Sequence, residues 1–251
     1  MSRLNLTVQP DGIAVVTLTQ PPVNAMDAPL LEELAGLFEG LAAESDVRAA
    51  VVTGEGRAFS AGLDLKLVPT LDRLGQRRLV DALNDGFGTL YAWPKPLVAA
   101  VNGHAIAGGL ILALCADWRV VADVAMEASL AEVRVGVTYP VAPLEIARSE
   151  LAPTTARRLI LLGEAIDARE AQVLRVFDER APAAALMTHA LARARRDAEL
   201  PPGAFATTKR ELRAAALARI AQARVGHEPR LVEWLGEEMR RAAAAVLRRA
   251  A

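Results

Sequence analysis

The chain has 251 residues, 53% hydrophobic and 24% charged, which allows one large core and excludes a disordered polymer. Lys and Arg number 29 against 30 Asp and Glu, a net charge of -1, so no overall basic field exists to hold nucleic acid or anionic lipid. The single cysteine, Cys115, and three isolated histidines (His104, His189, His227) offer neither an internal disulfide nor zinc-ligand spacing.

Leu4 to Val8 and Ile13 to Thr19 read as two strands around Pro10-Asp11-Gly12. Met1 to Thr19 carries Asn5, Gln9 and Asp11 and no continuous apolar stretch, so no signal peptide is read there and a soluble, cytoplasmic protein is expected. Asp27 is placed to cap the next helix, with Pro29 in its first turn. Leu30, Leu34, Leu37, Phe38 and Leu41 then recur on one face. Ala49 to Thr53 reads as a buried strand ending at Gly54, which completes a βαβ unit and implies some parallel sheet.

A glycine-punctuated loop runs from Gly54 to about Asp64, followed by a long amphipathic helix carrying Leu71, Leu74, Leu79, Leu83, Phe87 and Leu90. Trp93-Pro94-Lys95-Pro96 stops that helix, and Leu97 to Val101 is a second buried strand. Asn102-Gly103-His104 leads into a helix from about Gly108 to Ala116. That polar turn and Gly108-Gly109 argue against reading Leu97 to Cys115 as a membrane span. Trp118 to Ala122 is a third strand. Beyond about Tyr139 come helices at about 140–150, 153–162, 168–174, 181–199 and 204–250, with little strand signal. Pro201-Pro202-Gly203 divides a core of residues 1–200 from a helical region, 201–251. That region packs on its own core or on another subunit, and an oligomer is expected.

Several familiar motifs fail. After Gly54-Glu55-Gly56 the third glycine arrives only at Gly62, no Lys-Ser/Thr follows a glycine loop, and Ser60 is not in a Gly-x-Ser-x-Gly turn. Two glycine loops remain, Gly56 to Leu65 and Val101 to Gly109, each directly after a buried strand. At the ends of neighbouring strands they can aim one N–H each at a single point, an oxyanion hole, or they can simply make tight turns.

Gly56-Arg57-Ala58-Phe59-Ser60-Ala61-Gly62-Leu63-Asp64-Leu65, Val98-Ala99-Ala100-Val101-Asn102-Gly103-His104-Ala105-Ile106-Ala107-Gly108-Gly109, Cys115-Ala116-Asp117-Trp118-Arg119 and Leu130-Ala131-Glu132-Val133-Arg134-Val135-Gly136 closely resemble the enoyl-CoA hydratase/isomerase (crotonase) superfamily. The resemblance is specific from Ile13 to Arg148 and general beyond. It implies an α/β fold, a spiral of ββα repeats with a C-terminal helical region that builds homotrimers or hexamers. It also implies acyl-CoA thioester substrates, with coenzyme A as part of the substrate and no metal, other cofactor, nucleic acid or membrane. The peptide N–H groups of Leu63 and Gly108 would polarise the thioester carbonyl.

Hydratases of this family place one glutamate three residues after the oxyanion glycine and a second in a Pro-Glu segment; here those positions hold Ile111 and Glu132. Glu132 alone suits moving a double bond from C3–C4 to C2–C3, since one base can take the C2 proton and return it at C4. An apolar site would raise its pKa; a surface pair with Arg134 is the alternative. A second acid from Asp72, Asp81 or Asp85 on the long helix would favour hydration, and a binding homologue without turnover or another reaction at the same oxyanion hole stays open. Ala61, Asp64, Arg57 and Lys66 are the substrate-binding candidates, the last two for the CoA phosphates or adenine. Asp64 also reads as a partner for backbone amides, and His104 and Asp117 as structural. Tyr139-Pro140-Val141-Ala142-Pro143 departs from the family's Gly-rich stretch.

Overall fold

The structure is a computed structural model that describes residues 2–226 together with 236, 237, 241, 242 and 245. His227 and most of the last expected helix lie outside the described residues. The chain opens with strands β1 (Leu4–Val8) and β2 (Ile13–Leu18), paired antiparallel. Helix α1 (Ala28–Ala43) follows, its first turn held by the Asp27 side chain accepting from Leu30 N at 2.9 Å. Strand β3 (Ala49–Gly54) then pairs parallel with β2.

From β3 onward two strands precede each helix. The first repeat is β3, β4 (Ala58–Ser60) and α2 (Arg73–Ala92). The second is β5 (Leu97–Val101), β6 (His104–Ile106) and α3 (Gly108–Leu114). The third is β7 (Trp118–Ala122), β8 (Ala128–Ser129) and α4 (Val141–Glu150), with a 3₁₀ turn at Glu132–Val135 before the helix. The later segment brings α5 (Pro153–Ala156), β9 (Ala165–Ile166), α6 (Ala168–Val173), β10 (Glu179–Ala181), α7 (Leu186–Asp197), α8 (Pro202–Leu212) and α9 (Ala214–Gly226).

First strands of the repeats build a six-stranded sheet, β1-β2-β3-β5-β7-β10, and second strands build a four-stranded sheet, β4-β6-β8-β9. This is the spiral of ββα repeats expected from the resemblance. The inner strands of the large sheet are covered on both sides and are largely apolar, whereas the edge strands β1 and β10 carry polar residues. Val51, Val98 and Val120 face α7 with Leu186 and Ala190, while Val52, Ala99 and Val121 belong to the main core with α1, α2 and α3.

Four expectations need correction. The Gly54–Asp64 loop and the Asn102–Gly108 turn each contain a short strand, and the expectation of helices with little strand signal after Tyr139 misses β9 and β10. These strands are two or three residues long, too short to show a period. Leu74 is 77% exposed, so the buried face of α2 starts at Leu79 and not at Leu71–Leu74. The 153–162 helix is one α turn followed by a π-helical turn, Arg157–Leu161.

Helices α8 and α9 pack on the chain's own core: Ala216 and Ile220 are buried and α9 lies against α2 and α4. Ionic contacts fix them there. Lys209 Nζ meets Asp117 Oδ2 at 2.7 Å, and the Arg213 guanidinium meets Asp117 Oδ1 at 3.2 Å and Glu150 Oε1 at 3.5 Å. Arg119 also pairs with Glu150, and Asp117 Oδ2 accepts from Leu97 N at 2.8 Å. Asp117 is thus structural, and Cys115 is buried beside this cluster, its thiol pushed up to about 12 by burial.

Candidate active site

The two glycine loops leave neighbouring strands of the small sheet, where β4 and β6 run parallel with Ala58 opposite His104 and Ser60 opposite Ala105. They touch. A Cβ built on Gly62, where φ is 76°, would lie 2.7 Å from Ile106 O and 3.1 Å from Gly108 N. A Cβ on Gly109 would lie 2.2 Å from Ser60 O. Only glycine permits both the backbone turn and this approach.

Buried side chains lock the first loop. Asn24 Nδ2 donates to the carbonyls of Glu55, Ala58 and Phe59 at 3.0, 2.9 and 3.3 Å. Ser60 Oγ donates to Asn24 O at 2.7 Å and accepts from Gly62 N at 3.2 Å. Ser60 is therefore a brace for the loop. In the second loop, Ala107 carries a positive φ of 50°, strain of about 1–3 kcal/mol for a residue with a Cβ.

Around these loops the amides of Ala61, Gly62 and Asp64 donate to Val23 O, Ser60 Oγ and Met26 O, and Ala107 N donates to Ser129 O. The amides of Leu63 and Gly108 have no partner among the described residues. Both residues line a cavity of about 440 Å³ whose other walls are largely apolar. Its walls include Leu65, Val68, Leu83, Phe87, Val137 and Pro143, with Ala61 from within the first loop.

Glu132 enters this cavity from the 3₁₀ turn. Its Oε2 is shut from solvent and has no hydrogen-bond partner among the described residues. Burial pushes the carboxyl up from its ordinary 4.5 to about 7, against the lowering effect of the Tyr139 hydroxyl beside it. No ion pair joins Glu132 to Arg134 among the described residues; the Arg134 side chain instead lies against Gly163.

The structure brings together four of the candidates, Ala61, Leu63, Gly108 and Glu132, on one cavity. Arg57 and Lys66 are exposed and off its walls, and Asp64 Oδ1 accepts from Lys66 N at 2.8 Å and Leu67 N at 3.3 Å. Ile111 is fully buried in the core. The expectation of a second acid from α2 is not met: Asp72 caps α2 through Gly75 N, and Asp81 and Asp85 line a separate groove against α1. A second carboxylate on the cavity comes instead from Glu127, which accepts from Ser129 Oγ at 2.8 Å. Sequence reasoning missed it because nothing marks a glutamate just before a two-residue strand. His104 is structural, its Nδ1 accepting from Glu127 N at 3.2 Å. Among the described residues no acidic, His or Cys cluster suits a metal ion, and no helix is long and apolar enough to cross a membrane.

The enoyl-CoA hydratase/isomerase family matches residues 9–242. A putative enoyl-CoA hydratase of Thermus thermophilus is 35% identical over 206 residues, 80% of this chain and 81% of that one. Among solved structures, a probable enoyl-CoA hydratase of Mycobacterium tuberculosis superposes with a TM-score of 0.83 at 32% identity, over 90% of this chain and 94% of that one. Human mitochondrial delta3-delta2-enoyl-CoA isomerase superposes with a TM-score of 0.92 at 25% identity, over 99% and 98%.

Proposed function

The chain belongs to the enoyl-CoA hydratase/isomerase family, and from that premise we propose that it shifts the double bond of a 3-enoyl-CoA to give a 2-enoyl-CoA, with Glu132 as its proton shuttle. The thioester oxygen accepts from Leu63 N and Gly108 N. Glu132 as carboxylate takes a proton from C2, and the C2–H electrons delocalise onto the oxygen to give a dienolate. Losing one such donor typically costs about 3 kcal/mol of transition-state energy. The protonated Glu132 then returns the proton at C4, the C2–C3 bond becomes double and the thioester carbonyl re-forms. The acyl chain lies among Leu83, Phe87 and Pro143, and the exposed Arg57 and Lys66 meet the CoA phosphates. Coenzyme A arrives as part of the substrate, and the chemistry asks for no metal or redox cofactor.

The observation that carries this reading is the solitary, partner-free carboxyl oxygen of Glu132 in an apolar cavity, held near neutrality where it can both accept and give a proton. The human isomerase neighbour supports it. Glu127 on the same cavity supports a second reading, hydration of a 2-enoyl-CoA with two carboxylates. Ultraviolet absorbance of the conjugated thioester separates the two. A rise with 3-enoyl-CoA and no fall with 2-enoyl-CoA is expected. A fall with 2-enoyl-CoA, abolished by Glu127→Gln, would establish hydration instead; binding without turnover of either would make the chain a carrier. The same reading carries a homotrimer or hexamer, which light scattering of the purified chain checks.

A further inference from the structure

The structure buries Tyr139 at 8% exposure, its hydroxyl beside the Glu132 carboxyl. Its hydroxyl donates to Leu130 O at 3.0 Å and is also within hydrogen-bonding reach of the Glu132 carboxyl. Both acceptors sit on the segment Leu130-Ala131-Glu132. A phenol has one proton to donate, so the two acceptors compete for it.

An ionised carboxylate is the stronger acceptor and a protonated carboxyl the weaker. We propose that Tyr139 is a positioning residue for Glu132, its hydroxyl turning to the carboxylate when Glu132 is ionised and to the Leu130 carbonyl when Glu132 is protonated. No covalent bond changes; the C–O bond of the phenol rotates. The carboxylate is held still while it faces C2, and the acid form is released to reach C4. This rests on Glu132 being the proton shuttle, but the coupling between the two side chains does not require turnover.

Other charged groups are few on this side. Glu127 and Arg134 lie on the cavity, the lining residues from α2 and α4 are apolar, and on the adjoining π-helical turn Arg158 is paired with Glu164 and Glu170 while Arg157 is exposed.

The chain has two tyrosines, so labelling tyrosine at Cζ with carbon-13 gives two resonances, and Tyr91 faces Glu150 rather than Glu132. One resonance is expected to move with a midpoint near pH 7 in the native protein and to stay flat in Glu132→Gln. Two flat resonances in the native protein, or a shift that survives in Glu132→Gln, would overturn the proposal. Kinetics add an independent readout. In Tyr139→Phe the acid limb of kcat should move up by about one pH unit, with an about fivefold loss at pH 7, recovery by pH 9 and KM unchanged. An equal loss at every pH would mean packing alone. If the native protein turns over no 3-enoyl-CoA, the isomerase reading fails while the resonance titration still decides the coupling.

Discussion

Glu132 and Glu150 are both half-buried carboxylates, and their surroundings could hardly differ more. Glu150 is answered on every side: Arg119, Arg213 and the Tyr91 hydroxyl, the last at 2.8 Å, all reach it. Glu132 faces apolar walls with one oxygen bonded to nothing among the described residues. Desolvation acts on both. In the cluster around Asp117 and Glu150 opposite charges offset it, and the result is a clamp that holds α8 and α9 to the core. In the cavity no opposite charge pairs with Glu132 among the described residues and the Tyr139 hydroxyl offsets only part of the desolvation, so the proton itself becomes the cheapest partner and the group sits ready for transfer.

Removing the carboxylate from the cavity is the strongest test of this contrast. Glu132→Gln should lower kcat by about a thousandfold while leaving CoA binding intact, and it should make the protein more stable at alkaline pH. A folded pKa of about 7 above an ordinary 4.5 means that the folded state binds the extra proton between those values. Stability from this group is complete below pH 4.5 and is lost as pH rises through 7, by up to about 3 kcal/mol. Chemical denaturation at pH 5 and pH 8 checks it: the variant should gain on the native protein only at the higher pH.

The clamp should respond the other way. Asp117→Ala leaves Lys209 without its carboxylate and deprives Arg213 of one of two, a loss of about 3 kcal/mol in stability, with activity per folded molecule unchanged. Gly62→Ala should cost about 2 kcal/mol through its positive φ and its contact with Ile106 O, and because it also parts the two loops, kcat should fall with it. The smallest effect belongs to Lys209→Met. Arg213 still answers Asp117, so the cost at pH 7 is about 1 kcal/mol. Burial lowers Lys209 to about 8, so the unfolded chain binds the extra proton above that value. The native protein therefore gains stability from pH 8 towards 10.5, and the cost of the variant grows in step.

How much of this was legible depended on length. The long apolar runs Ala49–Thr53, Leu97–Val101 and Trp118–Ala122 announced the large sheet, because strands buried on both faces have no polar side to blur them. The small sheet was invisible, its strands being two or three residues set among glycines. β10 hid behind Glu179 and Arg180, charged residues that suit the edge of a sheet. Leu63, Gly108 and Glu132 were found only through the resemblance, since spacing alone did not choose between a tight turn and an oxyanion hole. Asp81 and Asp85 misled because helical periodicity places residues on a face without saying which neighbour that face meets. Tyr139 showed as a departure from a pattern, with no hint of its partner.

The placement of Leu63 and Gly108 has a metrical consequence. Each follows the second strand of its own repeat, β4 and β6, and these strands are neighbours. Parallel strands stand roughly 4.8 Å apart. Two N–H donors about 2.9 Å from one oxygen, aimed along its two lone pairs, stand about 5 Å apart. The pitch of a β-sheet and the span of a carbonyl oxygen are nearly the same length, so successive turns of this spiral rule off the gauge of the site, whatever side chains the loops carry.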